Sequence, residues 1–82
     1  MNRIKLLFFA TIRDRAGVKS MELDIPEDMT VQGLKDKLAE EYPNLKESMK
    51  SVLVTIDREY AFDEAVIPQN AELALFPPVS GG

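Results

Sequence analysis

The amino-acid sequence predicts an α+β fold with one main helix packed on one face of a mixed sheet. The chain has 82 residues, of which 45% are hydrophobic and 29% are charged. This length and composition are typical of one globular domain with a single core. Several short segments have the alternation or the β-branched residues of strands, whereas one segment has the apolar spacing of an amphipathic helix. That helix should cover the sheet on one side.

Two strands and a short connection are predicted at the start of the chain. Residues 4–11 are apolar on both alternating faces through the middle of the segment, which favours an interior strand that is buried on both faces and lies at the centre of the sheet. The charged residues 12–17 should form a loop or a single helical turn, because they end at Gly17, which can adopt a positive φ. Residues 18–25 alternate apolar and polar side chains, as in a strand with one solvent-exposed face. We expect the two strands to form a hairpin.

The main helix is predicted to start after Thr30 and to end at Pro43. Threonine is a common helix cap, and proline cannot continue a helix. The apolar positions of this segment follow one another at spacings of three, four and four residues: Val31, Leu34, Leu38 and Tyr42. They should pack as one stripe on the sheet. The charged run should form the solvent-exposed face of the helix: Lys35, Lys37, Glu40 and Glu41.

The remaining strands are predicted in the second half of the chain. Residues 52–56 are rich in β-branched side chains and should form a third strand, followed by a turn and a brief fourth strand at residues 60–62. Residues 72–76 should form the last strand, which Pro77 and Pro78 stop. The order strand, strand, helix, strand, short strand, strand is that of the β-grasp, or ubiquitin-like, fold. Order alone does not distinguish this topology from other α+β arrangements.

The residue types that are absent exclude several kinds of chemistry. The sequence has no Cys, no His and no Trp. We therefore expect no disulfide, no thiol nucleophile, no imidazole proton shuttle and no metal site, and the acidic residues lack the spacing of a calcium loop. A chain with this inventory is not expected to be an enzyme by itself.

The charge and hydropathy of the chain bear on its location and partners. A net charge of -4 disfavours a nucleic-acid partner, because phosphate binding depends on clustered Lys and Arg, and a basic protein surface is the better complement. The longest apolar run, residues 6–10, is much shorter than the roughly 20 residues needed to span a bilayer. We expect a cytoplasmic protein that binds neither membranes nor nucleic acids.

The end of the chain differs in kind from the rest. We expect a domain over residues 1–76 and an extended tail over residues 77–82, because two consecutive prolines restrict the backbone to extended conformations. Such a tail reaches about 20 Å, far enough to enter a neighbouring protein. Gly81 and Gly82 have no side chains, so a narrow channel can admit them and the terminal carbonyl is open to attack.

The terminal carboxylate needs activation before it can react. A free carboxylate repels nucleophiles and has a poor leaving group. Adenylation by ATP would give a mixed anhydride from which AMP can leave, and sulfur would then take its place as a terminal thiocarboxylate. Because this chain lacks residues for that reaction, a separate activating enzyme that uses ATP is implied, and the chain itself should bind no cofactor.

Several motifs identify a family. They are Lys-Leu-Leu-Phe-Phe-Ala at residues 5–10, Arg13, Ala16-Gly17, the Glu59-Tyr60 turn, and Leu-Phe-Pro-Pro-Val-Ser-Gly-Gly at residues 75–82. With these motifs the chain resembles the MoaD-type small subunit of molybdopterin synthase over essentially its whole length.

Two turns depart from the pattern of that family. Asp57 stands where Asn is usual, and Asn70-Ala71 replaces the usual Gly-Asp before the last strand. Asp has the same side-chain acceptor as Asn, and Asn tolerates left-handed conformations. The fold should therefore survive both changes.

The resemblance implies how the terminus is used. A MoeB-like enzyme of the ubiquitin-activating type would adenylate Gly82, which follows Gly81, and the product would be converted to a thiocarboxylate. The tail would then enter the active site of a large MoaE-type subunit and donate sulfur to cyclic pyranopterin monophosphate, which builds the dithiolene of molybdopterin. In this family two small and two large subunits form the synthase.

The resemblance also implies which residues contact partners. They are three aromatic residues and the start of the tail: Phe9, Tyr60, Phe76, Pro77, Pro78, Val79 and Ser80. For Phe9 and Phe76 a place in the core is the alternative, because phenylalanines in strands often pack inside. Arg13 has two readings, a contact with an acidic partner group or the tail, and a solvated loop residue.

Three other functions remain open on the sequence. A sulfur carrier of thiamine synthesis also ends in Gly-Gly, although the Phe-Pro-Pro-Val-Ser before the glycines argues against it. A ubiquitin-like protein modifier shares the activation chemistry and differs in its acceptor, which is a lysine. The last is an interaction domain with an inert tail.

Overall fold

The first and last strands of the chain lie side by side inside one mixed sheet. The computed structural model describes residues 1–78. Its strands are β1 (Asn2–Phe8), β2 (Ser20–Ile25), β3 (Leu53–Ile56), β4 (Glu59–Tyr60) and β5 (Glu72–Phe76). The sheet has the order β2-β1-β5-β3-β4. Strands β1 and β5 are parallel, and the other neighbouring pairs are antiparallel, including the predicted hairpin of β1 and β2.

Helices cover one face of this sheet. α1 (Ala10–Ala16) follows β1, α2 (Val31–Glu41) is the main helix, and α3 (Lys46–Met49) follows a short 3-10 turn at Pro43–Leu45. The predicted α+β class, with a mixed sheet and one main helix on one side, is confirmed. Within residues 1–78, no helix combines the length and the apolar character that a membrane crossing requires.

Burial alternates along β1. Ile4, Leu6 and Phe8 face the helices and are buried, whereas Arg3 and Lys5 are exposed on the opposite face. The prediction of an interior strand is confirmed, since β1 pairs with both β2 and β5, although β5 is the central strand. The prediction that β1 is buried on both faces was wrong, because the helices cover only one of them.

The end of β1 and the connection after it also differ from the prediction. β1 ends at Phe8, so the expected strand is too long, and Ala10 begins α1. This helix has seven residues and is more than the loop or single turn expected over residues 12–17. The buried side chain of Ile12 attaches it to the core. The positive φ predicted for Gly17 is confirmed at 80°, where the residue caps the helix.

The predicted cap of the main helix is confirmed. The Thr30 hydroxyl oxygen accepts a hydrogen bond from the Gly33 N–H at 3.1 Å, which satisfies one of the free donors at a helix start. The predicted apolar stripe is confirmed at its buried members: Val31, Leu34 and Leu38. The prediction was wrong for Tyr42, which follows the last helical residue as the C-cap, outside the helix, and is exposed.

The segment after β4 closes over the start of α2. The N–H groups of Val31 and Gln32 donate to the carbonyls of Ala65 and Asp63 at 2.9 and 3.0 Å. The Lys35 ammonium lies 2.6 Å from the Asp63 carboxylate, and the Lys35 side chain is only 12% exposed. The prediction that Lys35 belongs to the solvent-exposed helix face was therefore wrong, because this loop covers it.

The two turns that depart from the family pattern keep the fold. Asp57 and Arg58 form the two-residue connection of β3 and β4. β4 covers only Glu59–Tyr60, so the fourth strand predicted over residues 60–62 does not extend to Phe62. The Asp57 carboxylate accepts a hydrogen bond from the Glu72 N–H at 3.0 Å. Asn70 has a φ of 58°, a conformation that asparagine tolerates well. The expectation that both changes are compatible with the fold is confirmed.

The Asn2 side chain holds the loop that precedes β5 in place. The side chain is 2% exposed. Its amide nitrogen donates to the Pro68 carbonyl at 2.8 Å and to the Ile67 carbonyl at 3.4 Å, and its amide oxygen accepts from the Asn70 N–H at 2.8 Å. A buried amide with all of these bonds fixes the loop that delivers the chain into β5.

The substitution Asn2→Ala should lower the free energy of unfolding by about 2–3 kcal/mol, because it leaves buried loop groups without hydrogen-bond partners. The matched control is Asn44→Ala, since Asn44 is exposed and its side chain makes no hydrogen bond within residues 1–78. The control should change stability by less than about 0.5 kcal/mol. Urea unfolding of both variants measures the difference, and equal losses would contradict the role of Asn2.

Candidate functional site

The face of the sheet that the helices leave uncovered has an apolar half. Cross-strand pairing aligns Leu7 with Ala74, Ala74 with Thr55, and Thr55 with Tyr60. Paired residues share a face, so all of these side chains lie opposite the core. They surround a shallow depression of 410 Å³ lined by Leu7, Phe9, Thr55, Arg58, Tyr60, Glu72, Ala74 and Phe76.

Two of the predicted contact residues stack on each other in this depression. The rings of Phe9 and Phe76 are parallel within 10°, with centroids 4.6 Å apart. Phe9 is 39% exposed and Phe76 is partly exposed. The Phe9 N–H also donates to the Leu75 carbonyl at 3.2 Å, which joins the start of α1 to the end of β5. The alternative of a place in the core is excluded for both rings.

Tyr60 completes the aromatic group and is its most exposed member. It belongs to the edge strand β4, and 77% of its surface is exposed. The structure therefore brings together Phe9, Tyr60 and Phe76, which are far apart in the sequence. We call the surface formed by the lining residues of this depression the aromatic face. An exposed cluster of this kind is typical of a protein interface.

The other half of the same sheet face is charged. The Arg3 guanidinium lies 2.8 Å from the Glu22 carboxylate and 3.1 Å from that of Asp24. The hydrogen bond to Glu22 and the nearby charge of Asp24 raise the pKa of Arg3 above its ordinary value. Lys5 is aligned between Glu22 and Glu72 on the neighbouring strands. These opposite charges compensate one another, and Glu72, which also lines the aromatic face, lies where the two halves meet.

The chain leaves the sheet beside the aromatic face. Phe76 ends β5, and Pro77 and Pro78 follow it directly. Both prolines border a second depression, of 220 Å³, whose other lining residues come mainly from α1 and α3: Thr11, Ile12, Arg15, Glu47, Ser48 and Ser51. The predicted site residues Val79, Ser80, Gly81 and Gly82 lie outside the described residues. Arg13 lies in α1 and is exposed.

Part of the aromatic face was missed by the sequence prediction. Leu7, Thr55 and Ala74 look like ordinary strand residues, and Arg58 looks like an ordinary turn residue. The signal that connects them is the alternation of side chains along paired strands. It becomes readable only when the strand order and register are known.

The fold and this surface define a class: small β-grasp, ubiquitin-like proteins whose last strand leads into a proline-containing segment beside an exposed aromatic cluster. A model of the ThiS family matches residues 6–82. The chain belongs to the ThiS family, as a small subunit of the MoaD type.

Individual relatives are similar over nearly the whole of this chain. A protein of Arabidopsis thaliana named molybdopterin synthase sulfur carrier subunit is 38% identical, over 96% of this chain and 82% of its own. Its namesake in Caenorhabditis elegans is 32% identical over 100% of both chains. The crystal structure of SAMP1, small archaeal modifier protein 1, from Haloferax volcanii superposes with a TM-score of 0.82 at 31% identity, covering 99% of this chain and 100% of that one.

Two neighbouring phenylalanines provide a test of this division between core and surface. Phe8 is 2% exposed and belongs to the core, whereas Phe9 points to the opposite face. Phe8→Ala should lower the free energy of unfolding by about 3–5 kcal/mol. Phe9→Ala should lower it by only about 1 kcal/mol, because it removes a stacked pair at the surface. Chemical denaturation measures both, and a loss at Phe9 as large as at Phe8 would place Phe9 in the core.

Proposed function

We propose that this chain is the sulfur carrier subunit of a molybdopterin synthase. The observation that carries this proposal is the similarity to proteins of that name over the whole chain, which reaches 38% identity and, for the family model, extends to Gly82. The aromatic face next to the last strand supports it, because it offers a docking surface at the base of the segment that would carry the sulfur.

The proposed chemistry takes place at the Gly82 carboxylate. A carboxylate oxygen attacks the α-phosphate of ATP, pyrophosphate leaves, and an acyl adenylate forms. A sulfur nucleophile at the oxidation level of hydrosulfide then attacks the acyl carbon, AMP leaves, and a thiocarboxylate remains. The thiocarboxylate sulfur then attacks cyclic pyranopterin monophosphate, water cleaves the acyl–sulfur bond and restores the Gly82 carboxylate, and two such transfers build the molybdopterin dithiolene. Gly81 and Gly82 suit this chemistry because they present no side chain to the attacking groups.

The proposal divides the work among several proteins. An adenylating enzyme of the MoeB type would use ATP, and a large MoaE-type subunit would hold the pterin and supply its acid and base groups. Two small and two large subunits would form the complete synthase. The aromatic face would dock on these partners while residues 77–82 enter their active sites. A cytoplasmic location and the absence of a bound cofactor or metal remain predictions.

A second function is favoured by one observation. The protein from Haloferax volcanii that superposes on this chain is named a small archaeal modifier protein. A modifier of this kind would use the same activated terminus to acylate a lysine of another protein. The two functions differ only in the acceptor, so one experiment separates them.

Intact-mass spectrometry of the protein from its native cells is that experiment. A sulfur carrier gains the mass of one oxygen-to-sulfur exchange, and peptide mapping places the exchange at Gly82. A protein modifier instead appears in high-mass adducts that contain a branched lysine. A mass that stays unchanged after incubation with ATP, the adenylating enzyme and a sulfur source would refute both functions.

Deletion of Gly82 should abolish sulfur loading and leave the melting temperature unchanged. The reason is that the deletion removes the proposed reacting residue and leaves every residue of the described core in place, the last of which is Leu75. Addition of one alanine after Gly82 should have the same effect, because it moves the carboxylate away from its proposed position. Loading of either variant at the normal rate would contradict the role of the terminus.

Substitution of Tyr60 should weaken binding to the large subunit without affecting the fold. Tyr60→Ala removes the most exposed ring of the aromatic face, and we expect a loss of at least about tenfold in affinity, as for an aromatic anchor in an interface. The matched control is Phe62→Ala, since Phe62 is even more exposed, at 84%, and does not line the depression. Calorimetric titration with the purified large subunit measures both, and equal effects would argue against the aromatic face.

A further inference from the structure

Arg58 is held in a backbone conformation that glycine would adopt at lower cost. It is the second residue of the two-residue turn between β3 and β4, and the φ angles of Asp57 and Arg58 are 48° and 76°. Turns with two positive φ angles favour Asn-Gly or Asp-Gly, because a side chain in the left-handed region is strained. Asp57 is one of the favoured residues, but Arg58 is not.

The turn is also fixed in place. The Asp57 N–H donates to the Glu72 carbonyl at 2.8 Å, and the Asp57 carboxylate accepts from the Glu72 N–H at 3.0 Å. These two bonds attach the turn to the central strand β5. These bonds therefore fix the position of the Arg58 backbone at the aromatic face.

Among residues 1–78, no partner of the Arg58 side chain explains the strain. Arg58 lines the depression together with Tyr60 and Phe76. In the described part of the chain, its guanidinium forms neither an ion pair nor a hydrogen bond. Strained residues that persist without a structural benefit are concentrated at functional sites.

We propose that Arg58 is a specificity-determining contact residue that pairs with a carboxylate on the large subunit. This inference rests on the proposed function, in which that subunit covers the aromatic face during sulfur transfer. A partner that covers the apolar depression removes water from the Arg58 guanidinium as well. Desolvation of a cation is costly unless a carboxylate compensates it. Glu72 of this chain lines the same depression but forms no ion pair with Arg58 within residues 1–78, so the proposed partner surface combines an apolar patch with an Asp or Glu side chain opposite Arg58.

The large subunit is the occupant that fits this contact best. Its association is the lasting one under the proposed function, since it forms the assembled synthase. A guanidinium can bind a carboxylate through two parallel hydrogen bonds, which fixes orientation as well as affinity. A fixed cation at the rim of the aromatic face would thus set how the two subunits face each other.

Arg58→Gly separates this role from a structural one. The substitution relieves the backbone strain, so the melting temperature of the free chain should rise by about 4–8 °C. Affinity for the large subunit, measured by calorimetric titration, should nevertheless fall about tenfold. A fall in melting temperature would show that Arg58 serves the fold, and unchanged affinity would show that it makes no contact. Either result overturns the proposal.

Charge reversal provides the second arm. Arg58→Glu should weaken binding more than Arg58→Gly, and the loss should shrink as salt is added, because two facing carboxylates repel each other. The matched control is Lys46→Glu, which makes the same change in net charge on the exposed side of α3. Equal effects of the two reversals would indicate a general charge effect and overturn the proposed contact.

Failure of this inference is distinguishable from failure of the proposed function. Sulfur loading at Gly82 is read by mass and does not depend on the large subunit. If the wild-type chain loads sulfur and Arg58→Gly binds the large subunit as the wild type does, only the inference fails. If the wild-type chain neither loads sulfur nor binds that subunit, the proposed function and the choice of occupant both fail.

Discussion

The parallel pairing of β1 with β5 is the constraint on which the rest of this structure depends. It aligns Leu7 with Ala74 and Phe8 with Leu75. The next residues on each strand are Phe9 and Phe76, so the stacked rings are a direct consequence of this register. Asn2 secures the same pairing from its other end, because it bonds the loop that leads into β5. A shift of β5 by one residue against β1 would turn Phe76 toward the helices and separate its ring from that of Phe9.

The size of the chain explains why one side of the sheet stays open. A domain of this length has enough apolar residues for one core, and that core lies between the helices and a single sheet face. The opposite face needs another means of remaining soluble. In its charged half, Arg3 and Lys5 are compensated by carboxylates on neighbouring strands. In its other half the aromatic rings remain uncovered, which is consistent with a surface kept for binding.

The sequence predicted the structure correctly where a feature depends only on residues that are close together in the chain. Thr30 predicts the start of α2, and the alternation of residues 18–25 predicts the exposed side of β2, because both depend on neighbouring residues. It was misleading for Lys35, whose burial results from a loop distant in sequence that brings Asp63 over the helix. It was equally misleading for the buried faces of β1, since an apolar residue such as Leu7 does not reveal which face the helices will cover. For the site, the individual aromatic residues were predictable and their common surface was not.

The stacked rings come from opposite ends of the sequence, Phe9 from the end of the first strand and Phe76 from the end of the last. The surface that the two rings form together exists only after nearly the whole chain has been synthesised and β1 has paired with β5. Contacts of this kind form late, because closing a long loop has an entropic cost. A partner that recognises both rings therefore selects finished molecules, and an incomplete or unfolded chain would not compete for it. Binding of such a partner to both rings would therefore also discriminate folded chains from unfolded ones.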